Sequence, residues 1–256
     1  MQRKKFHDIE WLEFDLLSDI PHLRHAVFLR HGGYSQGNYG TLNTGFHVGD
    51  DNHRVRLNID KITHQFQSEI PNWNHLVWGR ANHGKSIAKV TAQSAEEIVD
   101  VDGLVTSCPG VSLMMKHADC QVAIFYDTQR HAIANVHAGW RGSVANIYRE
   151  AIEYMTHTFG SKPAELLVCI SPSLGPNEAE FIHYQTELPK EFWCFQPRPT
   201  YFDFWSISEF QLQTAGILPH HIEIARLSTY SNSKDFFSYR RDHITGRHAT
   251  CITLCP

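Results

Sequence analysis

Three side chains that commonly bind metal ions stand at the edges of apolar segments. Cys120 comes just before the apolar run "QVAIFY", and His137 ends the next run, "AIANVH". His83 precedes a glycine in the segment "RANHGKSI". Because sites are often built at strand ends and in loops, these residues are candidates for one cavity. Two histidines and a cysteine suit zinc, and three protein ligands leave a position open for water, as in catalytic zinc sites.

The same residues allow other interpretations. A structural zinc would need a fourth protein ligand, which Cys108 or His117 could supply, although the chain has no CxxC pair. Alternatively, Cys120 is a small buried apolar residue and the histidines are hydrogen-bonded loop residues. Spacing alone leaves these interpretations open.

Other polar residues near these segments are candidates for contacts to a substrate. Asp119 could orient a ligand, carry a proton or cap a turn. Gly142 and Ser143 stand at a predicted helix start, where free backbone N–H groups favour an anion. Arg30 begins a long glycine-rich loop and is a candidate for an anion contact or a surface salt bridge.

A second cationic segment, "FFSYRRDHITGR", combines aromatic side chains with Arg240, Arg241 and Arg247. Such a segment could stack on a base and contact phosphate or ribose. A solvent-exposed edge strand would have a similar composition, so the pattern does not decide between them.

The composition argues against several classes of partner. The net charge is −4 and the 23 basic residues are scattered, so we expect no binding to nucleic acid. No apolar stretch is long enough to span a membrane, and acidic residues such as Asp8 and Asp15 interrupt the N-terminal segment. The six cysteines are too sparse for a disulfide framework, so we expect a reduced, cytoplasmic protein.

The elements that must position these residues are short strands alternating with amphipathic helices. The strand candidates are the apolar runs at 25–29, 75–78, 112–115, 122–126, 132–136, 166–170 and 222–227. The connection "YDTQRH" has hairpin length, which predicts an antiparallel part of the sheet. The aromatic segment 195–205 is predicted to be a surface loop that packs against the protein.

Three helices are predicted from apolar spacing and capping residues. The first places Val55, Ile59, Ile62 and Phe66 on one face after the capping candidates Asp50 and Asp51. The second places Val144, Ile147, Ala151 and Met155 on one face before Gly160. The third begins at Ser206, with Glu209 completing a capping box and Gly216 after the last turn. The fold class is therefore mixed α/β, and we expect one domain over residues 1–256.

Read together, these segments resemble the YfiH family, also called the laccase-domain or multicopper-polyphenol-oxidase-like family. The resemblance extends from about residue 27 to residue 252. The matching segments are "LRHGGYSQGNYGTLNTGFHVGDD", "NHG", "DGLVTSCPGVSLMMKHADC", "VHAGWRG", "LGP" and "FFSYRRDHITGR".

The resemblance implies a layered α/β/β/α domain similar to the catalytic domain of cytotoxic necrotising factors. It also implies one catalytic Zn²⁺ held by His83, Cys120 and His137. Within the matching segments, Asn43, His117 and Arg240 are candidates for contacts to the substrate. The chain departs from the family pattern at Ala81, where glutamine is common, at His117, where threonine usually stands, and at 177–178, where cysteines are frequent.

The function that follows is a zinc-dependent purine nucleoside phosphorylase that also deaminates adenosine. Its expected partners are phosphate and the nucleosides adenosine, inosine and methylthioadenosine. Asp119 is the candidate proton carrier and Arg30 the candidate anion contact. The alternatives are a peptidoglycan precursor editing factor and a copper-dependent polyphenol oxidase. Copper fits less well, because multicopper sites use paired HxH motifs and this chain has none. The sequence leaves the oligomeric state and the physiological nucleoside open.

Overall fold

The structure, a computed structural model, describes all residues except residue 71. The strands are β1 (Gln2–Phe6), β2 (Ile9–Glu13), β3 (Leu23–Phe28), β4 (His75–Arg80), β5 (Ile87–Lys89), β6 (Glu97–Val99), β7 (Gly103–Thr106), β8 (Val111–His117), β9 (Gln121–Asp127), β10 (Ile133–Ala138), β11 (Leu166–Ile170), β12 (Ile222–Ile224) and β13 (His248–Leu254). The α-helices are α1 (Asp15–Ser18), α2 (Asn52–Glu69), α3 (Trp140–Val144), α4 (Ile147–Phe159), α5 (Tyr184–Glu187), α6 (Phe204–Thr214) and α7 (Tyr239–Asp242).

The strands form two mixed sheets. The first sheet has the order β1-β2-β3-β13-β8-β4-β6, and the second has the order β12-β11-β9-β10-β7-β5. Strands β9 and β10 pair antiparallel across the short connection, with Val122 opposite His137, so the hairpin prediction is confirmed. Parallel pairs occur at β4–β8, β4–β6, β5–β7 and β11–β12.

The inner faces of the two sheets pack on each other and form the central core. Alternate residues of each strand point into it because side chains in a strand alternate between the two faces. The first sheet contributes Val77, Leu113 and Met115, and the second contributes Val122, Ile124 and Tyr126. Full burial of each aliphatic side chain contributes about 1.5–3 kcal/mol relative to exposure.

Helix α2 covers the outer face of the first sheet. Val55, Ile59, Ile62 and Phe66 are all buried there, as their spacing predicts. The carboxylate of Asp51 caps the helix by accepting a hydrogen bond from the backbone N–H of His53.

The second predicted helix is interrupted in the structure. Asn146 adopts a left-handed conformation with φ of 53° and separates α3 from α4, and its side chain caps α4. Val144 therefore lies in the short helix α3 and is 37% exposed, whereas Ile147, Ala151 and Met155 pack on the outer face of the second sheet. The apolar spacing continues across the break, which is why the sequence pattern did not reveal it.

The third helix begins two residues earlier than predicted. Asp203 is the N-cap, and its carboxylate accepts hydrogen bonds from the backbone N–H groups of Trp205 and Ser206. The hydroxyl of Ser206 donates to the same carboxylate, so this serine supports the cap and does not form it.

Sequence and structure agree on the class and the layers. Each of the seven apolar runs overlaps a strand, and α2 and α4 lie on opposite outer faces, which confirms the α/β/β/α arrangement. The segment 195–205 packs through Phe202 and Trp205, which are both buried. In the described part of the chain, no helix combines the length and apolar character that crossing a bilayer requires.

Candidate metal centre and its two cavities

The antiparallel hairpin brings Cys120 and His137 to the same end of the second sheet. His137 is the penultimate residue of β10, and Cys120 directly precedes β9, whose first residue, Gln121, pairs with Ala138. His83 reaches this point from the loop between β4 and β5, where it has a positive φ of 62°. The sequence-based expectation that these three residues face one place agrees with their positions.

The three side chains form a compact donor group. One ligand atom from each of His83, Cys120 and His137 lies within 4.8 Å of the other two. The two imidazole rings are nearly perpendicular, with centroids 5.1 Å apart. His83 is exposed and His137 is buried, so solvent reaches the group at His83.

Asp102 fixes two of these ligands. Its Oδ1 lies 3.0 Å from Nδ1 of His137 and accepts a hydrogen bond from the backbone N–H of His83, also at 3.0 Å. Its Oδ2 accepts from the N–H of Gly84 at 2.8 Å. A carboxylate on Nδ1 leaves Nε2 of His137 available to a metal, the usual arrangement around metal-binding histidines.

The electrostatics of the cluster favour a cation. Burial opposes ionisation of the Cys120 thiol, but the charge of His137 and hydrogen bonds from both histidines outweigh it and lower the pKa to about 6. Burial also disfavours the charged form of His137, but the Cys120 thiolate and the Asp102 carboxylate raise its pKa to about 9. The Cys120 thiolate and the Asp102 carboxylate thus place negative charge beside the imidazoles of His83 and His137, which favours binding of a cation.

The donor set fits a zinc ion. Zinc prefers imidazole nitrogen and thiolate sulfur, and His83, Cys120 and His137 offer both. The carboxylate behind His137 is the second interaction that such sites generally contain. Copper also accepts these donors, so the donor set alone does not identify the ion.

One cavity, which we call the basic cavity, opens on one side of the cluster. Its volume is about 500 Å³, and besides the three ligands it is lined by Arg80, Lys116 and Arg247. Glu97 is the one carboxylate among its described lining residues.

A second cavity, the aromatic cavity, opens on the other side and has a volume of about 300 Å³. Trp140, Phe181 and Phe204 form its apolar wall, and Phe181 contacts the other two rings at centroid distances of 5.9 and 5.3 Å. The two cavities share His83 and Cys120, so the cluster stands at their junction.

Asp119 and Arg240 both line the aromatic cavity. The Asp119 carboxylate accepts hydrogen bonds from the Thr229 hydroxyl and the backbone N–H of Arg240, each at 2.6 Å. The Arg240 guanidinium donates to the backbone carbonyl of Glu180 at 3.2 Å. Asp119, the neighbour of Cys120, therefore connects the start of α7 to the cluster. It also lines the aromatic cavity.

His117 lines the basic cavity but is not a member of the ligand group. Its Nδ1 contacts the Cys120 carbonyl at 3.0 Å and its Nε2 contacts the Thr250 hydroxyl at 2.8 Å. Burial, together with the neighbouring His248, holds the pKa of His117 well below its usual value. Both ring nitrogens are engaged, so His117 supports the Cys120 loop from behind.

Arg30 lies outside both cavities. Its Nε donates to the Gly40 carbonyl at 2.9 Å, one Nη donates to the Ser233 carbonyl at 3.1 Å, and the guanidinium stacks on Phe237. The expectation that Arg30 contacts an anion at the metal centre is therefore not supported. Its donors connect the glycine-rich loop to the segment before α7.

Asn43 is fully buried and lines neither cavity. Its Oδ1 accepts from the backbone N–H groups of Gly45 and Arg247, and its Nδ2 donates to the Asp50 carboxylate. The expectation of direct substrate contact is therefore corrected, because all these polar atoms are used within the protein. Asn43 instead positions Arg247 at the wall of the basic cavity.

The expected anion site at the helix start is not formed by the predicted residues. Helix α3 begins at Trp140, and the N–H of Ser143 already donates to the Gly139 carbonyl at 2.9 Å. Sequence reasoning also missed Asp102 and Lys116. Asp102 directly precedes a buried strand, and Lys116 interrupts an apolar one, and both positions are unusual for a charged residue.

Comparison with known proteins gives a consistent result. Residues 24–255 match the family model described as multi-copper polyphenol oxidoreductase laccase. A purine nucleoside phosphorylase of Bacteroides thetaiotaomicron is 31% identical over 251 residues, covering 91% of this chain and 92% of that protein. The purine nucleoside phosphorylase YfiH of Escherichia coli is 29% identical, covering 88% of this chain and 91% of that protein.

Solved structures show the same architecture. The crystal structure of the hypothetical protein YfiH from Bacillus licheniformis has a TM-score of 0.85 and 26% identity, with 96% of each chain covered. YlmD from Geobacillus stearothermophilus also has a TM-score of 0.85, with 27% identity over 99% of this chain and 98% of that chain. The match over nearly the whole chain and the likeness in fold lead to one conclusion: the chain belongs to the laccase-domain family that includes YfiH and YlmD.

Proposed function

We propose that the protein is a zinc-dependent purine nucleoside phosphorylase that also deaminates adenosine. The observation that carries the proposal is the position of the His83, Cys120 and His137 cluster at the junction of an aromatic and a basic cavity. The names of the similar proteins from Bacteroides thetaiotaomicron and Escherichia coli support an enzyme of this kind. The proposed substrates are phosphate and the nucleosides adenosine, inosine and methylthioadenosine.

The metal in this proposal is one Zn²⁺ held by His83, Cys120 and His137. When bound with an open position, zinc acts as a Lewis acid that polarises an oxygen-containing ligand. The protein's own contribution is to hold the donors in place through Asp102.

The aromatic cavity suits the purine. A flat aromatic base stacks on aromatic side chains irrespective of its substituents, with about 1–3 kcal/mol per base in single-stranded nucleic acid complexes. Trp140 and Phe181 offer such surfaces beside the cluster. The base would lie in the aromatic cavity, the ribose at the junction and the phosphate in the basic cavity.

Phosphorolysis then follows from this placement. An oxygen of phosphate forms a bond to C1′ of the ribose while the glycosidic C–N bond breaks. The electron pair of that bond leaves with the purine, which takes up a proton. Asp119 lines the cavity that would hold the purine and is the proposed proton carrier.

Deamination of adenosine requires a different bond to react. Water adds to C6 of the purine, and ammonia leaves with the amino nitrogen. Because C6 and C1′ lie at opposite sides of the nucleoside, the two reactions need different placements at the same cluster. The products distinguish them, since phosphorolysis releases adenine and deamination releases inosine.

The test is chromatography of the zinc-loaded protein after incubation with adenosine and phosphate, beside a phosphate-free sample. Adenine that forms only with phosphate supports phosphorolysis, and inosine in both samples supports deamination. Absence of both products from a fully zinc-loaded sample would contradict the proposal.

A ligand variant links the metal to the reaction. His83→Ala should lose bound zinc and turnover together, because the remaining cysteine and histidine provide only two of the three donors. His53→Ala is a suitable control, because His53 is an exposed residue near the start of α2. A zinc-loaded and fully active His83→Ala protein would exclude His83 from the site.

The family description also names copper oxidation of polyphenols. In the described part of the chain, one group of three metal ligands is present, whereas a multicopper oxidase needs several copper sites. Elemental analysis of the purified protein decides between the two proposals. One zinc per chain supports the phosphorylase, and several coppers per chain would favour the oxidase.

A further inference from the structure

Lys116 carries an amine with no anionic partner among the described residues, and it stands in the wall of the basic cavity. It lies near the end of β8, and its Nζ is 4.8 Å from the ring centroid of Phe46 and 4.6 Å from that of Trp78. Among the described residues, Nζ has no hydrogen-bond acceptor and no carboxylate at ion-pair distance. The faces of the two rings stabilise the ammonium only weakly, and no anion neutralises its charge.

The neighbouring groups add positive charge. Arg80 and Arg247 line the same cavity, and the guanidinium of Arg56 lies 5.3 Å from the centroid of the Trp78 ring. Glu97 is the acidic residue of the described cavity wall. The wall of this cavity of about 500 Å³ therefore carries three cationic side chains, from Arg80, Lys116 and Arg247, and one carboxylate. This excess of positive charge is local, because the net charge of the chain is −4.

The donors of the two arginines are only partly used. One Nη of Arg247 donates to the carbonyls of Thr245 and Gly246, and Asn43 fixes the Arg247 backbone. Arg80 makes one long contact of 3.4 Å, to His47. Arg247 is fixed in place beside the cavity, and the remaining donors of both guanidinium groups are available to a ligand.

We infer that Lys116, Arg80 and Arg247 form an oxyanion subsite that binds the attacking phosphate within the basic cavity. The inference rests on the proposed function, because it identifies the residues that would bind phosphate, the second substrate of phosphorolysis. Phosphate is a mixture of monoanion and dianion near neutral pH, and either form matches both the excess cationic charge and the forked donors of arginine. Its position beside the cluster directs it at the ribose, away from the purine.

Phosphate binding should take up protons. Burial, and the repulsion from Arg56, lower the pKa of Lys116 to about 7, against the opposing effects of Glu97 and Cys251. The other titratable groups that line this cavity are His47, Arg80, His83, Glu97, His117, Cys120, His137, Tyr239 and Arg247. Bound phosphate favours the charged amine, so Lys116 takes up a fraction of a proton at about pH 7.5, in addition to any proton that phosphate itself exchanges.

The test is calorimetric titration of the zinc-loaded protein with inorganic phosphate, without nucleoside, in two buffers that differ in ionisation enthalpy. The wild-type protein should bind phosphate with more proton uptake per bound phosphate than the Lys116 variants, in which only phosphate itself exchanges protons. Lys116→Met keeps an unbranched side chain beside the rings but removes the charge, so binding should weaken at least about tenfold and the additional uptake should disappear. Lys116→Arg should bind phosphate without the additional uptake, because arginine remains charged.

Lys89→Met is the matched control, since Lys89 also lies over an aromatic ring, at 5.4 Å from Phe159, but outside the cavity. It should bind phosphate like the wild type. Equal zinc content and thermal unfolding temperature in all variants separate the subsite from metal loss or misfolding. A parallel titration with adenosine 5′-monophosphate tests whether the cavity takes a phosphate ester in place of free phosphate.

Two results would overturn the inference: wild-type affinity for phosphate in Lys116→Met, or binding of the monophosphate ester with no binding of free phosphate. Because the titration needs no turnover, it separates the subsite from the proposed reaction. If phosphate binding depends on Lys116 but no adenine forms from adenosine and phosphate, the oxyanion subsite is supported and the proposed phosphorylase activity is contradicted.

Discussion

Asp102 and His137 are joined by two contacts in the buried wall of the metal centre. The carboxylate Oδ1 lies 3.0 Å from the imidazole Nδ1, and the backbone N–H of His137 donates to the Asp102 carbonyl at 2.7 Å. The second carboxylate oxygen reaches the loop of His83 through the N–H of Gly84. One side chain therefore aligns ligands from two separate segments, strand β10 of the second sheet and a surface loop.

Asp102→Asn should weaken zinc binding about 10–100-fold, the usual cost of removing the carboxylate behind a metal-binding histidine. The amide keeps the shape, but one of its two terminal atoms can no longer accept a hydrogen bond, and the charge that favours the cation is lost. Competition with a zinc chelator at fixed pH measures the change.

Asp127→Asn is the control for this substitution. Asp127 is also fully buried, but its Oδ1 accepts from the backbone N–H groups of Gln129 and Arg130 in the hairpin turn. It should affect stability without affecting zinc affinity. Equal zinc affinity in Asp102→Asn and wild type would mean that the carboxylate is not needed to hold the ligands.

Trp140→Ala should raise the KM for adenosine about tenfold or more, because it removes a stacking surface from the aromatic cavity. Zinc content should stay unchanged, since Trp140 provides no metal ligand. Steady-state kinetics with varied nucleoside measure the effect. Phe210→Ala, which changes an exposed aromatic residue on α6, should leave KM unchanged; an equal KM in Trp140→Ala would place the base elsewhere.

The features that sequence predicted correctly depend on local patterns. Residues of α2 repeat at helical spacing and cover a sheet, and the apolar runs of β9 and β10 are joined by a hairpin-length turn. Strand ends carry Cys120 and His137, so the hairpin alone places them together. His83 was a third candidate from its place before a glycine in a loop, the family resemblance implied the same three ligands, and its position in the cluster agrees with both.

The features that sequence did not predict depend on distant contacts. Asp102 lies 35 residues from His137 and 19 from His83, and these contacts follow from the pairing of β7 with β10. Short strands such as β6 have three residues and no pattern of their own. For Arg30 and Asn43, residue type suggested substrate contact, but only the tertiary structure shows that backbone groups take up their polar atoms.

Acid should destabilise the protein below pH 6.5 through buried histidines. Nε2 of His25 accepts a hydrogen bond from the backbone N–H of Phe14, and burial lowers its pKa from 6.5 to about 4. Because the unfolded chain binds a proton more readily, stability is fully present above pH 6.5 and falls by about 1.4 kcal/mol per pH unit until about pH 4. His248, with a pKa lowered by burial to about 3, adds a similar loss.

Urea denaturation at several pH values measures this loss. His25→Gln keeps an acceptor but cannot be protonated in this range, so the pH dependence of its unfolding free energy should be smaller than that of the wild type. The exposed His157→Gln should leave the dependence unchanged. An unchanged slope in His25→Gln would show that His25 is not the group that titrates.

Gly139 leaves the space in which the three metal ligands meet. A Cβ at this position would lie 3.0 Å from Cδ2 of His83, 3.2 Å from Sγ of Cys120 and 3.8 Å from Cε1 of His137. Its φ of −77° is accessible to alanine, so the backbone conformation does not require glycine there. The requirement for glycine comes from the ligands.

Gly139→Ala should therefore weaken zinc binding while the protein remains folded, because the methyl group pushes the His83 ring and the Cys120 thiol apart by a few tenths of an ångström. Chelator competition and thermal unfolding measure the two effects separately. Gly142→Ala is the control: its Cβ would meet the Gly84 carbonyl at 3.4 Å, an ordinary contact, and alanine favours the helix. If Gly139→Ala bound zinc as tightly as Gly142→Ala, the ligands would have room to move and the site would not be rigidly preorganised.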